Sequence, residues 1–116
     1  MDMMLLGETI ASDESGDTDY FGFWMPAGGN DGVAAVEVFL LSTASAFKVY
    51  LQTKSSDEAD PAPSSNLIGN VTLSSTTPQL YKFDVNGAKD LVRYRVEMLD
   101  VGSVHLQFSQ PLWSPN

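Results

Sequence analysis

The sequence contains no cysteine. Disulfide bonds, thiolate nucleophiles and cysteine-ligated zinc are therefore all excluded. Histidine is nearly as scarce, with His105 the only one. Nucleophilic catalysis needs a nucleophile, a base and an orienting group in mutual reach. No Gly-x-Ser-x-Gly elbow or comparable frame surrounds the serines. His105 reads as a surface histidine beside Arg93 or Gln107. The chain is expected to be non-enzymatic and to need no cofactor.

Positive charge is also in short supply. Six Lys and Arg residues stand against 15 Asp and Glu, giving a net charge of −9 and a sequence pI near 4.1. Affinity for nucleic acid comes largely from Lys and Arg neutralising phosphates, and an anionic membrane attracts the same residues. Neither is an expected partner. No apolar run approaches the length of a bilayer-spanning helix. Met1–Gly7 has neither the positive n-region nor the apolar length of a signal peptide. With Met1 as the native start, the chain is expected to be made in the cytoplasm and left there. A domain cut from a larger secreted protein would look the same.

What the sequence does have is alternation. Side chains on a strand point to opposite faces in turn. Leu91–Leu99 is the clearest case: Val92, Tyr94, Val96 and Met98 fall on one face, Arg93, Arg95 and Glu97 on the other. The first set seals a core, and the second is expected to meet water or a partner. In Ala46–Thr53, Phe47, Val49 and Leu51 oppose Lys48, Tyr50 and Gln52. Met4–Ile10, Tyr20–Met25, Leu67–Leu73, Gln79–Val85 and Val104–Phe108 are further strand candidates. Val33–Leu41 is nearly continuous in apolar residues, as for a strand buried on both faces or covered at one end.

Between these lie an acidic loop (Ser12–Asp19), a glycine-rich turn (Pro26–Gly32) and a long polar loop (Lys54–Asn66). The composition of the long loop cannot bury enough apolar surface to order itself. Asn86-Gly87 signals a two-residue hairpin. The 116 residues suffice for one domain. About eight short strands with frequent turns predict an all-β, single-domain β-sandwich, jelly-roll-like before immunoglobulin-like. Residues 1–11 form a short arm and 110–116 a tail whose two prolines oppose strand extension.

Asp13, Asp17 and Asp19 are the candidate metal ligands, since calcium takes six to eight oxygens. Their spacing does not match an EF-hand, and a solvated loop with no metal is expected. Asn70-Val-Thr72 fits the glycosylation sequon, which has no meaning without export. Tyr20, Trp24 and Trp113 could serve as sugar-binding platforms or belong to core or interface. Lys48, Tyr50, Arg93, Arg95, Glu97, His105 and Gln107 would share one polar face if their strands are neighbours, a composition enriched at protein interfaces. Met4, Leu5, Leu112, Trp113, Tyr50, Arg93 and Arg95 are accordingly the candidate interface residues.

The run from Phe47-Lys-Val-Tyr-Leu-Gln-Thr53 through Leu67-Ile-Gly-Asn-Val71 to Leu91-Val-Arg-Tyr-Arg-Val96 resembles the small β-sandwich proteins encoded among tailed-phage structural genes. The likeness lies in strand rhythm over part of the chain. It implies a capsid decoration, cement or accessory role in the virion. The partner would be a capsid lattice or further copies of the chain, in a symmetric homo-oligomer. It carries over no functional residue. The alternative is a carbohydrate-binding sandwich that presents Trp and Tyr to a glycan.

Overall fold

A computed structural model describes residues 2–4, 8–13, 19–42, 47–73, 80–99 and 102–114. The described elements are all strands: β1 (Asp2–Met4), β2 (Glu8–Asp13), β3 (Asp19–Gly22), β4 (Met25–Pro26), β5 (Asp31–Ser42), β6 (Phe47–Lys54), β7 (Leu67–Leu73), β8 (Leu80–Asn86), β9 (Leu91–Met98), β10 (Gly102–Phe108) and β11 (Leu112–Trp113). They form two sheets. In the first, β1, β3, β9, β6 and β7 lie side by side, and β4 follows β3 along the edge of β9. In the second the order is β2, β10, β5 and β8, with β11 following β10 along β5.

This order is a jelly roll. The chain doubles back on itself so that β2 pairs with β10, β3 and β4 with β9, β5 with β8, and β6 with β7. Rolling that long double strand brings β10 against β5 and β9 against β6. All of these pairings are antiparallel; β1 adds to β3 in parallel. The expected all-β sandwich is therefore present, with a jelly-roll strand order.

The core follows the alternation. Phe47, Val49 and Leu51 of β6 and Val92, Tyr94, Val96 and Met98 of β9 are buried against Ala34, Val36, Val38, Phe83, Val85, Leu106 and Phe108 of the other sheet. Full burial of each such apolar side chain stabilises by roughly 1.5–3 kcal/mol.

Several expectations need correction. The strand expected at Met4–Ile10 is replaced by two, β1 and β2, and β2 runs on to Asp13 as a full member of the second sheet. From Val33 to Val38, β5 is fully buried on one face only: Ala34, Val36 and Val38 are inside, Val33 and Ala35 are half-buried, and Glu37 is exposed. Asn86-Gly87 is not a hairpin. Gly87 does have a positive φ, 81°, but β8 and β9 belong to different sheets, so the turn carries the chain across the sandwich. Pro111 does not stop a strand either. It is buried, and just beyond it Leu112 and Trp113 pair with Val33 and Gly32.

Tyr94 ties the sheets together. Its ring lies 4.8 Å from that of Phe108. Its hydroxyl donates to the carbonyl of Ser109 at 2.6 Å and lies 3.3 Å from that of Ala35. Burial raises its pKa to about 12. Tyr94→Phe should cost about 1 kcal/mol, the net worth of a lost hydrogen bond, measured by urea unfolding. Because the folded-state value lies above the unfolded one, the neutral phenol stabilises fully below about pH 10. That contribution is lost as pH rises toward 12, so tyrosinate absorbance from Tyr94 should appear only with alkaline unfolding.

The tail is held just as closely. Trp113 packs against the core, and the Ser114 N–H donates to the Asp31 carbonyl at 2.8 Å. A Cβ added at Gly28 would stand 2.4 Å from Trp113 Cδ1, so only glycine admits the indole there. Trp113→Ala should therefore lower stability by about 2–3 kcal/mol, read from the urea midpoint. An unchanged midpoint would mean that the indole contributes nothing to the fold.

Candidate functional site

β6 and β9 are neighbours, so the polar residues between their core positions meet on the outer face of the first sheet. The register places Lys48 opposite Glu97, Tyr50 opposite Arg95 and Gln52 opposite Arg93. Five of the seven residues expected to share a polar face do so. His105 and Gln107 do not, because β10 lies in the other sheet. His105 is half-buried there, opposite Ile10 and Leu40.

Arg93 and Arg95, expected to meet water or a partner, are covered by the chain itself and are only 4% and 5% exposed. The Arg93 guanidinium carbon is 4.3 Å from the centre of the Phe21 ring and 4.4 Å from that of Trp24. Its Nε donates to Gln52 Oε1 at 2.8 Å. Burial lowers its pKa, with the charge of Asp60 opposing the shift. Arg95 stacks 4.7 Å from the centre of the Tyr50 ring and pairs with Glu97 Oε2 at 3.2 Å. The Tyr50 hydroxyl donates to Glu97 Oε1 at 3.0 Å.

The long loop supplies the cover. Ser55–Asn66 crosses this face as a strap fixed by polar bonds. Gln52 Nε2 donates to the carbonyls of Ala62 and Ser65 at 2.8 and 2.9 Å. The Asn66 carbonyl accepts from the Thr53 N–H at 3.0 Å. Nearer the strap's start, Glu58 pairs with Lys89 at 3.1 Å, and Asp90 accepts from the N–H and hydroxyl of Ser56.

At the centre, Asp60 Oδ1 accepts from Lys54 Nζ at 2.8 Å and from Trp24 Nε1 at 3.0 Å, while Oδ2 lies 3.6 Å from Arg93. Lys54 also lies 5.0 Å from the centre of the Trp24 ring. The Lys54 hydrogen bond holds the Asp60 carboxyl below its ordinary value. Glu58 is shifted the same way, first by the Ser55 backbone N–H and then by Lys89. A loop expected to lack the means to order itself is thus ordered by borrowed partners.

Of the candidate metal ligands, Asp13 pairs with Gly102 in the second sheet and Asp19 with Glu97 in the first. The backbones of Asp13 and Asp19 lie in opposite sheets, and Asp17 is outside the described residues, as is Leu5 among the interface candidates. Met4 sits in β1, opposite Gly22. No group of three or more His, Asp or Glu side chains is placed to hold a metal among the described residues. The two tail candidates divide: Trp113 packs inward, while Leu112 is 78% exposed.

Sequence reasoning missed the partnership of Trp24 with Asp60, 36 residues apart. One signal was available. Cations are few, and the long polar loop with its Asp57, Glu58 and Asp60 directly follows the strand that carries Lys48 and Lys54. Comparison of the chain with protein-family models and with curated proteins finds no match.

Asp60→Ala should release the strap while leaving the sandwich folded. Exposed ion pairs contribute about 0–1 kcal/mol, so the urea midpoint should move little. Amide exchange across 55–66 should rise several-fold. Acid should do the same to the unaltered protein. The folded-state pKa of Asp60 lies below the unfolded one, so its contribution is complete above about pH 4 and falls as pH drops through the depressed value. Strap exchange that ignores both the substitution and acid would assign the hold to the strap's other bonds, led by those of Gln52 and Thr53.

Proposed function

We propose that this chain is a non-enzymatic structural protein that works by binding other proteins, as a capsid decoration or cement component of a virion. The observation that carries the reading is the way the polar groups are satisfied. The network centred on Arg93 and Asp60 is closed by the chain's own strap, with its acid, cations and indole bonded to one another. Such an arrangement favours rigidity over turnover.

Jelly rolls serve capsids and lectins alike, so the aromatic side chains weigh between these roles. A glycan platform needs an open ring face. Trp24 carries the Arg93 guanidinium, and Trp113 is packed over Gly28. Among the described residues, the large apolar side chains left outside are Phe23 and the aliphatic Leu80, Leu99 and Leu112. Leu112 is 78% exposed and Leu80 51%. They pair with Val33 and Glu37, positions of β5 that point away from the core, so both lie on the outer face of the second sheet. Exposed apolar groups on one face are common anchors for protein association.

Sedimentation equilibrium on the isolated chain should find a homo-oligomer. Leu112→Lys should weaken it at least about tenfold, equivalent to about 1.4 kcal/mol, with circular dichroism unchanged. A strictly monomeric chain that binds glycans through Trp24 would favour the carbohydrate reading instead. Hydrolytic turnover abolished by His105→Ala would overturn the non-enzymatic assignment.

A further inference from the structure

The two halves of the strap contact are held very differently. Lys54 and Arg93 sit on sheet strands with side chains 12% and 5% exposed, whereas the Asp60 side chain they meet is 58% exposed. Arg93 has partners besides Asp60, namely the Phe21 and Trp24 rings and Gln52. Trp24 stands on the short link between β3 and β4. Three donors thus converge on one point: an ammonium, an indole N–H and a guanidinium.

We propose that Lys54, Arg93 and Trp24 form a carboxylate-binding site, and that Asp60 is its intramolecular ligand. When Asp60 withdraws, a carboxylate brought by another molecule takes the same donors. The division of contacts fits this chemistry. One oxygen accepts from Lys54 and Trp24 while the other faces Arg93, so both oxygens of a carboxylate are used. Because Asp60 is largely open to water, exchange requires no cavity to open. The nearby acids are engaged elsewhere, Glu58 with Lys89 and Glu97 with Arg95.

Removing Asp60 therefore leaves Lys54, still bonded to the Glu58 carbonyl at 3.1 Å, and Arg93 with no carboxylate between them. The tether raises the effective concentration of Asp60 at the site, so a free carboxylate competes poorly while the strap is closed. This assignment is independent of the assembly reading, since it concerns three side chains and not the partner that supplies the acid.

The test is rescue of Asp60→Ala by sodium acetate, compared with sodium chloride at equal ionic strength. In about 0.3 M acetate the melting temperature of the variant should rise by about 2–4 °C more than that of the unaltered protein. The Trp24 indole N–H resonance should shift saturably with acetate in Asp60→Ala and stay fixed when Asp60 is present. Adding Lys54→Met should abolish both responses. Asp60→Ser provides an independent variant with the same expected behaviour. Equal responses with and without Asp60, or a response that survives Lys54→Met, would overturn the site.

Discussion

The outer face of the first sheet is governed by the cost of burying Arg93. A guanidinium taken out of water loses its hydration and must regain an equivalent environment from the protein. Two aromatic rings return part of it through their quadrupoles, Gln52 accepts from Nε, and Asp60 supplies the opposing charge. Each of these partners constrains something else. Gln52 can orient its oxygen toward Arg93 only if its amide nitrogen is satisfied, and the Ala62 and Ser65 carbonyls do that. The strap lies where it does because an arginine lies beneath it.

The jelly roll makes that burial available. Nesting β6 with β7 inside β5 with β8, and these inside β3 and β4 with β9, brings three segments distant in sequence to one outer face. Phe21 and Trp24 come from the β3–β4 edge, Arg93 from the middle of β9, and Gln52 and Lys54 from β6. Apart from the close pairs Phe21 with Trp24 and Gln52 with Lys54, none of them is near another in the chain. The crossover between β8 and β9 then places Lys89 and Asp90 at the strap's start, where they meet Glu58 and Ser56. A fold dominated by distant pairings thus assembles a polar cluster that local sequence does not announce.

Strand rhythm made the sandwich legible, because alternation reports directly on which side chains face the core. It recovered the inward sets of β6 and β9 residue for residue, whereas the neighbourhood of Tyr50 with Arg95 depended on a strand pairing that rhythm does not specify. It misjudged the outward set. Alternation says that Arg93 and Arg95 point away from the core, but not what the rest of the chain lays over them. The strap was opaque for the same reason: its own residues contain little that packs, and all of its partners lie elsewhere. Asn86-Gly87 misled because a hairpin signal specifies a tight turn, not whether the strands it joins share a sheet.

Closing one face has an electrostatic consequence for the other. Of the chain's six cations, Lys48, Lys54, Arg93 and Arg95 belong to β6 and β9, and Lys89 stands beside them at the strap. Lys82 alone lies in the second sheet. There, Glu37 and Asp84 are exposed on the same outer face as Leu80 and Leu112. Opposite charges on the first sheet neutralise one another at close range, and their field falls off quickly beyond the strap. On the second sheet the acids have one nearby cation and an aliphatic surround. A partner meeting that face encounters apolar side chains framed by negative charge, a combination that selects against other acidic surfaces unless the apolar contact is extensive.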